Sequence, residues 1–381
     1  MMRGLLEIQA RTFAAGVLAG FLACVTAGWY STRLNTLPGI VRFHSRLGPE
    51  TLFYPTSSQV RQLVLARVQP DRVGVVIGGS SVMHGTGQPP ERPWHFDLQE
   101  RLGSRFTVLN LALRGGLPQE FGNLVVESLL EERKLIFLSD VHPCLLMLDN
   151  AAGYIHTYFF WDAYFKGMLR SWPERDAAIQ RVLAGRDEKF RESVRRARWN
   201  HLLYYDDLWN TVGYWAVFTA FAPLTYQSPL RPRRLAPDFP AATLPIPDRY
   251  NLYNLDREMT HLRRLVKGCT AEQLGKGAGY VSADVHPRVR ERMVLVQPAE
   301  SPYYRSRLTG EETRGYLSSF TSTTERLSAL GIQDVVVGFD FTEEDYLDRP
   351  HLMASGGRKM AAAVAPVVQR KARELYPEMF R

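Results

Sequence analysis

At 381 residues with 45% apolar side chains, the chain is long enough for one large domain carrying an insertion, or for two domains with packed cores. Its formal net charge of +8 favours anionic surroundings, yet no zinc finger, RNA-binding signature or basic-aromatic repeat accompanies it, so nucleic acid is not an expected partner. The three cysteines, Cys24, Cys144 and Cys269, lack paired spacing for zinc or a disulfide framework, and no His/Asp/Glu spacing argues for a metal; no cofactor is expected.

The first element is the N-terminal segment. Residues 1–12 form a short tail with Arg3 and Arg11, and residues 13–30 carry no charge before Arg33. An uncharged run of that length is about the minimum for a helix that crosses a bilayer, and Trp29-Tyr30 suit its interface. The expectation is an uncleaved single-pass anchor in the inner (cytoplasmic) membrane. A cleaved signal peptide and a buried soluble helix are the alternatives. Leu22-Ala23-Cys24 hints at lipidation, but the residues before Cys24 fit it poorly. Arg33, Arg42 and Arg46 outnumber Arg3 and Arg11, so flanking charge alone does not orient the segment. A short basic tail ahead of a first hydrophobic segment usually stays inside, which puts the main domain on the extracytoplasmic side, periplasmic or extracellular. Residues 31–70 read as a stalk and entry segment, with Pro38 and Pro55 interrupting helix.

Short apolar runs then end at Ser80, Leu113, Asn150, Pro298 and Phe341, as buried parallel strands do. Helical stretches lie between them at Trp94–Leu102, Pro118–Arg133, Thr309–Leu330 and Ser355–Leu375. Leu135–Leu138 reads either as a helix extension or as a strand. Alternation of strand and helix implies an α/β fold with right-handed crossovers: a flavodoxin-like three-layer sandwich with a central parallel sheet in the order 2-1-3-4-5. Residues 71–150 and 291–381 form this domain. Residues 151–290 interrupt it with aromatic groups (Tyr154–Phe165, Tyr204–Phe221), an arginine-rich helical stretch (Arg170–Arg198) and a proline-rich passage (Pro223–Pro247). This helical insertion reads as a cap over the catalytic edge or as a structural subdomain. No continuous amphipathic stretch argues for its resting on a membrane.

Three segments carry chemistry. Gly79-Ser80-Ser81-Val82-Met83-His84-Gly85 follows a β-branched run, where open α/β sheets place ligands. Asn110-Leu111-Ala112-Leu113-Arg114-Gly115 follows the second strand. Asp348-Arg349-Pro350-His351 puts an acid three residues before a histidine, a spacing that lets the carboxylate fix one imidazole tautomer. In these blocks the chain resembles the SGNH (GDSL-type) serine hydrolases over roughly 70–150 and 290–381. The resemblance implies that Ser81, with Gly79 two before it and Gly85 four after it, is the nucleophile, His351 the base and Asp348 its orienter. It also implies an oxyanion hole from the backbone N–H groups of Ser81 and Gly115, with Asn150 as a further donor. Leu146-Met147-Leu148-Asp149-Asn150 lacks the family's usual Gly-x-Asn spacing.

The expectation for function is a membrane-anchored extracytoplasmic serine esterase or O-acyltransferase, similar to bacterial envelope members of that family. It would act through an acyl-enzyme on small acyl esters of a cell-envelope polymer. Expected partners are that polymer or ester, membrane lipid around the N-terminal helix, and a membrane-bound acyltransferase. The rival readings are a non-catalytic envelope scaffold and a lipase or lysophospholipase.

Overall fold

The computed structural model describes residues 2–37, 55–89, 92–113, 116, 121–141, 157–184, 188–215, 255–268, 284–337 and 340–381, together with 270, 272, 274, 275 and 281. Helix α1 (Met2–Ser31) is followed by α2 (Ser57–Arg67), β1 (Val73–Ile77), α3 (Ser81–His84), α4 (His95–Leu102), β2 (Phe106–Asn110), α5 (Phe121–Ser128) and β3 (Leu135–Asp140). The insertion contributes α6 (Thr157–Phe165), α7 (Pro173–Ala184), α8 (Glu188–Leu203), α9 (Tyr205–Trp215) and α10 (Leu255–Gly268). The chain closes with α11 (Pro287–Arg290), β4 (Met293–Val296), α12 (Pro302–Arg305), α13 (Gly310–Ala329), β5 (Asp334–Val336) and α14 (Ala354–Leu375).

The five strands form one parallel sheet in the order β2-β1-β3-β4-β5. Strands β1 to β4 are buried along their whole length, and their side chains alternate between two apolar layers. Val76, Leu109, Phe137 and Leu295 face a layer built with α2, α5 and α6, whereas Val75, Val108, Leu138 and Val294 face one built with α4, α13 and α14. Helices on both faces are what an all-parallel sheet requires, because both of its faces need cover.

Local sequence explains where elements start. Thr309 accepts from the Glu312 N–H while Glu312 accepts from the Thr309 N–H, a capping box that opens α13. Thr56 and Gln59 do the same for α2.

Three boundaries differ from the sequence reading. The third strand is Leu135–Asp140, so the ambiguous apolar run is a strand; residues 142–150, where it was expected to end, lie outside the described residues. Strands also end earlier than the apolar runs suggest, at Ile77, Asn110, Val296 and Val336; after β1 and β2, Gly78, Gly79 and Leu111 to Leu113 stay buried in the segments that follow. The stretch 31–70 is not a stalk throughout. Val60, Leu63 and Val64 of α2 are fully buried against the sheet, each contributing about 1.5–3 kcal/mol of apolar burial.

Buried polar groups join the insertion to the rest. Asp162 of α6 accepts from the Ser57 N–H and hydroxyl at the start of α2, at 2.8 and 2.6 Å, and Asp207 of α9 accepts from the Thr56 hydroxyl at 2.6 Å. Lys166 lies between the two carboxylates, at 3.1 Å from Asp162 and 2.9 Å from Asp207. Burial works to neutralise Lys166, but the two acids overcome it and raise its pKa, keeping it charged. On α7, Arg175 forms a two-pronged pair with Glu127 of α5 at 2.6 and 2.8 Å and donates to the Asp284 carbonyl at 2.7 Å.

Candidate active site

The carboxyl edge of β1 passes through Gly78-Gly79-Ser80 directly into α3. Gly79 has φ +93°, and a Cβ there would fall 2.2 Å from Asp140 Oδ1 and 2.7 Å from Ser139 Oγ, so only glycine fits this turn. Ser80 is the N-cap of α3: its hydroxyl accepts from the Val82 N–H at 3.2 Å, and Gly85, with φ +79°, ends the helix four residues after Ser81. The Ser80 N–H donates to Asp140 Oδ1 at 2.8 Å and its hydroxyl donates to Asp140 Oδ2. Ser80 is thereby used in holding the turn. Ser81 is the first residue of α3, where N–H groups of the first turn have no intrahelical acceptor.

The second segment is tied to the same turn. The Leu113 N–H donates to the Gly79 carbonyl at 3.2 Å. The buried Asn110 side chain donates to the Met83 carbonyl at 3.0 Å and accepts from the Ala112 N–H at 3.1 Å, joining the end of β2 to α3.

The third segment closes over Ser81 from the other end of the chain. A bridge between Tyr346 and Leu352, with the Leu347 N–H donating to the His351 carbonyl at 2.8 Å, pinches residues 347–351 into a turn. Asp348 Oδ1 accepts from the His351 backbone N–H at 2.9 Å, and both of its oxygens lie 2.8–2.9 Å from His351 Nδ1. His351 Nε2 lies 2.7 Å from Ser81 Oγ. With the Nδ1–H donated to Asp348, Nε2 is left as an acceptor aimed at the serine hydroxyl. Asp348 is buried while Ser81 and His351 are half-buried, so the acid is shielded and the serine and imidazole are partly open to solvent.

Arg349, between acid and base in sequence, points away to Glu258 of α10 at 3.0 Å and to Glu300. Its carbonyl accepts from the Ser301 N–H at 2.9 Å, and Tyr346 donates to the Ala299 carbonyl at 2.8 Å. The turn is therefore pinned to the exit of β4 and to the insertion.

Of the residues expected from sequence, Ser81, Asp348 and His351 come together. Gly115 and Asn150 lie outside the described residues. His84 is buried, and His95 lies 3.3 Å from Asn110 rather than beside Ser81. Asp140, Glu300 and the outward role of Arg349 were missed. Asp140 had a signal, an acid ending a short apolar run, but its partner is set by strand order. Among the described residues no group of three or more His, Cys, Asp or Glu side chains is arranged to hold a metal ion. No family model, curated protein or solved structure matches the chain.

Proposed function

We propose that the chain is a serine esterase or O-acyltransferase of the SGNH type, anchored in the cytoplasmic membrane with its α/β domain outside the cytoplasm. The observation that carries this reading is the continuous Ser81–His351–Asp348 contact at the carboxyl edge of the sheet, 2.7 Å from Oγ to Nε2 and 2.8 Å from Nδ1 to the acid. The sheet order β2-β1-β3-β4-β5 and the tight Gly79 turn support the family assignment without depending on overall similarity.

In this reading His351 takes the Ser81 proton as Oγ attacks an ester carbonyl, and returns it to the departing alkoxide, leaving an acyl-serine. Water, or a sugar hydroxyl of an envelope polymer, is then deprotonated by His351 and attacks the acyl group, regenerating Ser81. Asp348 holds the ring and stabilises its cationic form without taking the proton. The Ser81 N–H, with Gly115 and Asn150 as the further expected donors, would stabilise the tetrahedral oxyanion, each donor being worth about 3–4 kcal/mol. Acyl groups would reach the site from an ester donor or a membrane-bound acyltransferase.

The test is labelling of the purified full-length protein with a fluorophosphonate probe. Wild type should label and hydrolyse short acyl esters, and Ser81→Ala should do neither. Absence of labelling in the wild type would overturn the catalytic reading in favour of a binding scaffold. Turnover of phospholipid but not of short acyl esters would favour a lipase.

A further inference from the structure

Helix α1 is not attached to the rest only through the chain that follows it. It packs along α9, and at Gly28 the contact is so close that a Cβ would lie 2.7 Å from the Tyr204 carbonyl oxygen. Tyr204 itself has φ +54°, a left-handed conformation unusual for a tyrosine, and it turns α8 sharply into α9. The Asp206 N–H donates to Asn200 Oδ1 at 2.7 Å across that corner, fixing it. The α8–α9 corner is thus held against the last two turns of the apolar helix.

This corner exposes what a water-facing surface usually hides. Trp199, Tyr205 and Trp209 are 58%, 63% and 64% exposed, and Leu202 and Val212 are also more than half or half open. Tyr205, Trp209 and Val212 follow i, i+4, i+7 spacing and so share one face of α9. A groove of about 500 Å³ joins Phe21, Cys24 and Val25 of α1 to Trp199, Tyr205 and Leu208. Trp199 also lines a second groove of about 450 Å³, with Leu183, Leu202, Arg191, Arg195 and Arg198. The surface therefore runs from α1, past Arg196 paired with Asp206 at 3.0 Å in the first groove, to a row of arginines. In the sequence, no charged residue follows Asp207 until Arg231.

We infer that the outer faces of α8 and α9 lie in the headgroup region of the bilayer that α1 enters, with Trp199, Tyr205 and Trp209 at the acyl boundary and Arg195 and Arg198 against lipid phosphates. This rests on reading α1 as a membrane span. Continuity with that helix decides for lipid over a protein partner. Phe21 lies about 10 Å below Gly28 at 1.5 Å per residue, the depth to which interfacial helices sink. Trp and Tyr beside the end of a spanning helix, with Arg further out, is the pattern of a membrane interface. The arrangement also fixes the height of the Ser81 edge above the bilayer, which a flexible tether would not.

The test uses the full chain with its native cysteines replaced by serine, in vesicles of phosphatidylcholine with or without about one-third phosphatidylglycerol. Bimane is placed in turn at Leu18→Cys, Trp199→Cys and Trp209→Cys, and quenched by lipids doxyl-labelled near the headgroup or deep in the chain. Circular dichroism checks that each variant keeps the parent's fold. Deep quenching at 18 together with at least two-fold headgroup-level quenching at 199 and 209 is expected. In the Arg195→Gln/Arg198→Gln variant, the extra quenching at 199 produced by anionic lipid should disappear. Quenching at 18 with none at 199 and 209 overturns the interfacial surface and leaves the anchor standing. No quenching at any position overturns the anchor as well.

Discussion

Ser80 and Ser81 are neighbours with opposite duties, and substitution separates them. Ser80→Ala removes a hydroxyl that caps α3 and donates to Asp140, so it should cost about 1 kcal/mol in stability while keeping most probe labelling. Thermal unfolding and labelling on the same sample check this; loss of labelling by Ser80→Ala with retention by Ser81→Ala would exchange their roles. Asp348→Asn keeps the shape of the turn but favours the wrong tautomer of His351, and ester turnover should fall by a factor on the order of 10⁴, as should His351→Ala. Near-normal turnover in either variant would remove the triad. Each half of this arrangement has a local signal in the sequence: a glycine two before the serine answers a positive φ, and an acid three before a histidine fits one turn, whereas the Ser81–His351 contact joins residues 270 positions apart. Asp140 was not legible as a partner of Ser80, since only the pairing of β1 with β3 sets a residue 60 positions away beside the Gly79-Ser80-Ser81 turn.

Among the elements, α7 is bound to α5 by a charge pair with almost no solvent access. Arg175 and Glu127 are 1% and 0% exposed at their side chains, so Arg175→Ala should leave an uncompensated buried carboxylate and cost about 3–5 kcal/mol. The Arg175→Met/Glu127→Leu double variant should cost less than the single one, and denaturant unfolding of the three proteins measures it. The neighbouring α11 carries a pH dependence. Burial, then the charges of Arg170, Arg175, Arg288 and Arg290, push His286 down to about 4. Its Nδ1 accepts from the Arg288 N–H at 3.1 Å, which also requires the unprotonated nitrogen. Well above pH 6.5 neither the folded nor the unfolded chain protonates it. As pH falls through about 6.5 the unfolded chain takes up a proton that the folded one refuses, so stability drops until about pH 4. His286→Asn, which keeps a capping acceptor, should flatten that part of the melting temperature against pH; an unchanged slope would assign it elsewhere. Helices with their own start signals, such as α13 behind Thr309, were readable within a residue or so. Strand ends were less so, because Gly78 and Gly79 and Leu111 to Leu113 continue the buried run after sheet pairing stops. The core role of α2 was hidden by prolines on either side of its approach, and its burial depends on α5 and α6 arriving from later in the chain.

At the scale of the whole molecule, the parts are coupled in series. Helix α1 seats on α9, the Asp162–Lys166–Asp207 group fastens α6 and α9 to the start of α2, and Arg349 ties the His351 turn to Glu258 of the insertion. Residues 9–31 are long and apolar enough to cross a bilayer and are almost entirely uncovered by the rest of the chain, a condition that a signal sequence also meets. The two readings separate by where the mature chain begins and by how it leaves the membrane. Burial of a spanning helix is not screened by ions, so as an anchored protein it should remain with membranes at high salt and be released by detergent. Its mature N-terminus should precede Phe13. Protease added outside the cytoplasmic membrane should digest the α/β domain and leave the short tail protected. An N-terminus beyond Ala27 with a chain freed by salt would make α1 a removed leader. A protected α/β domain would reverse the orientation and place Ser81 out of reach of any envelope polymer.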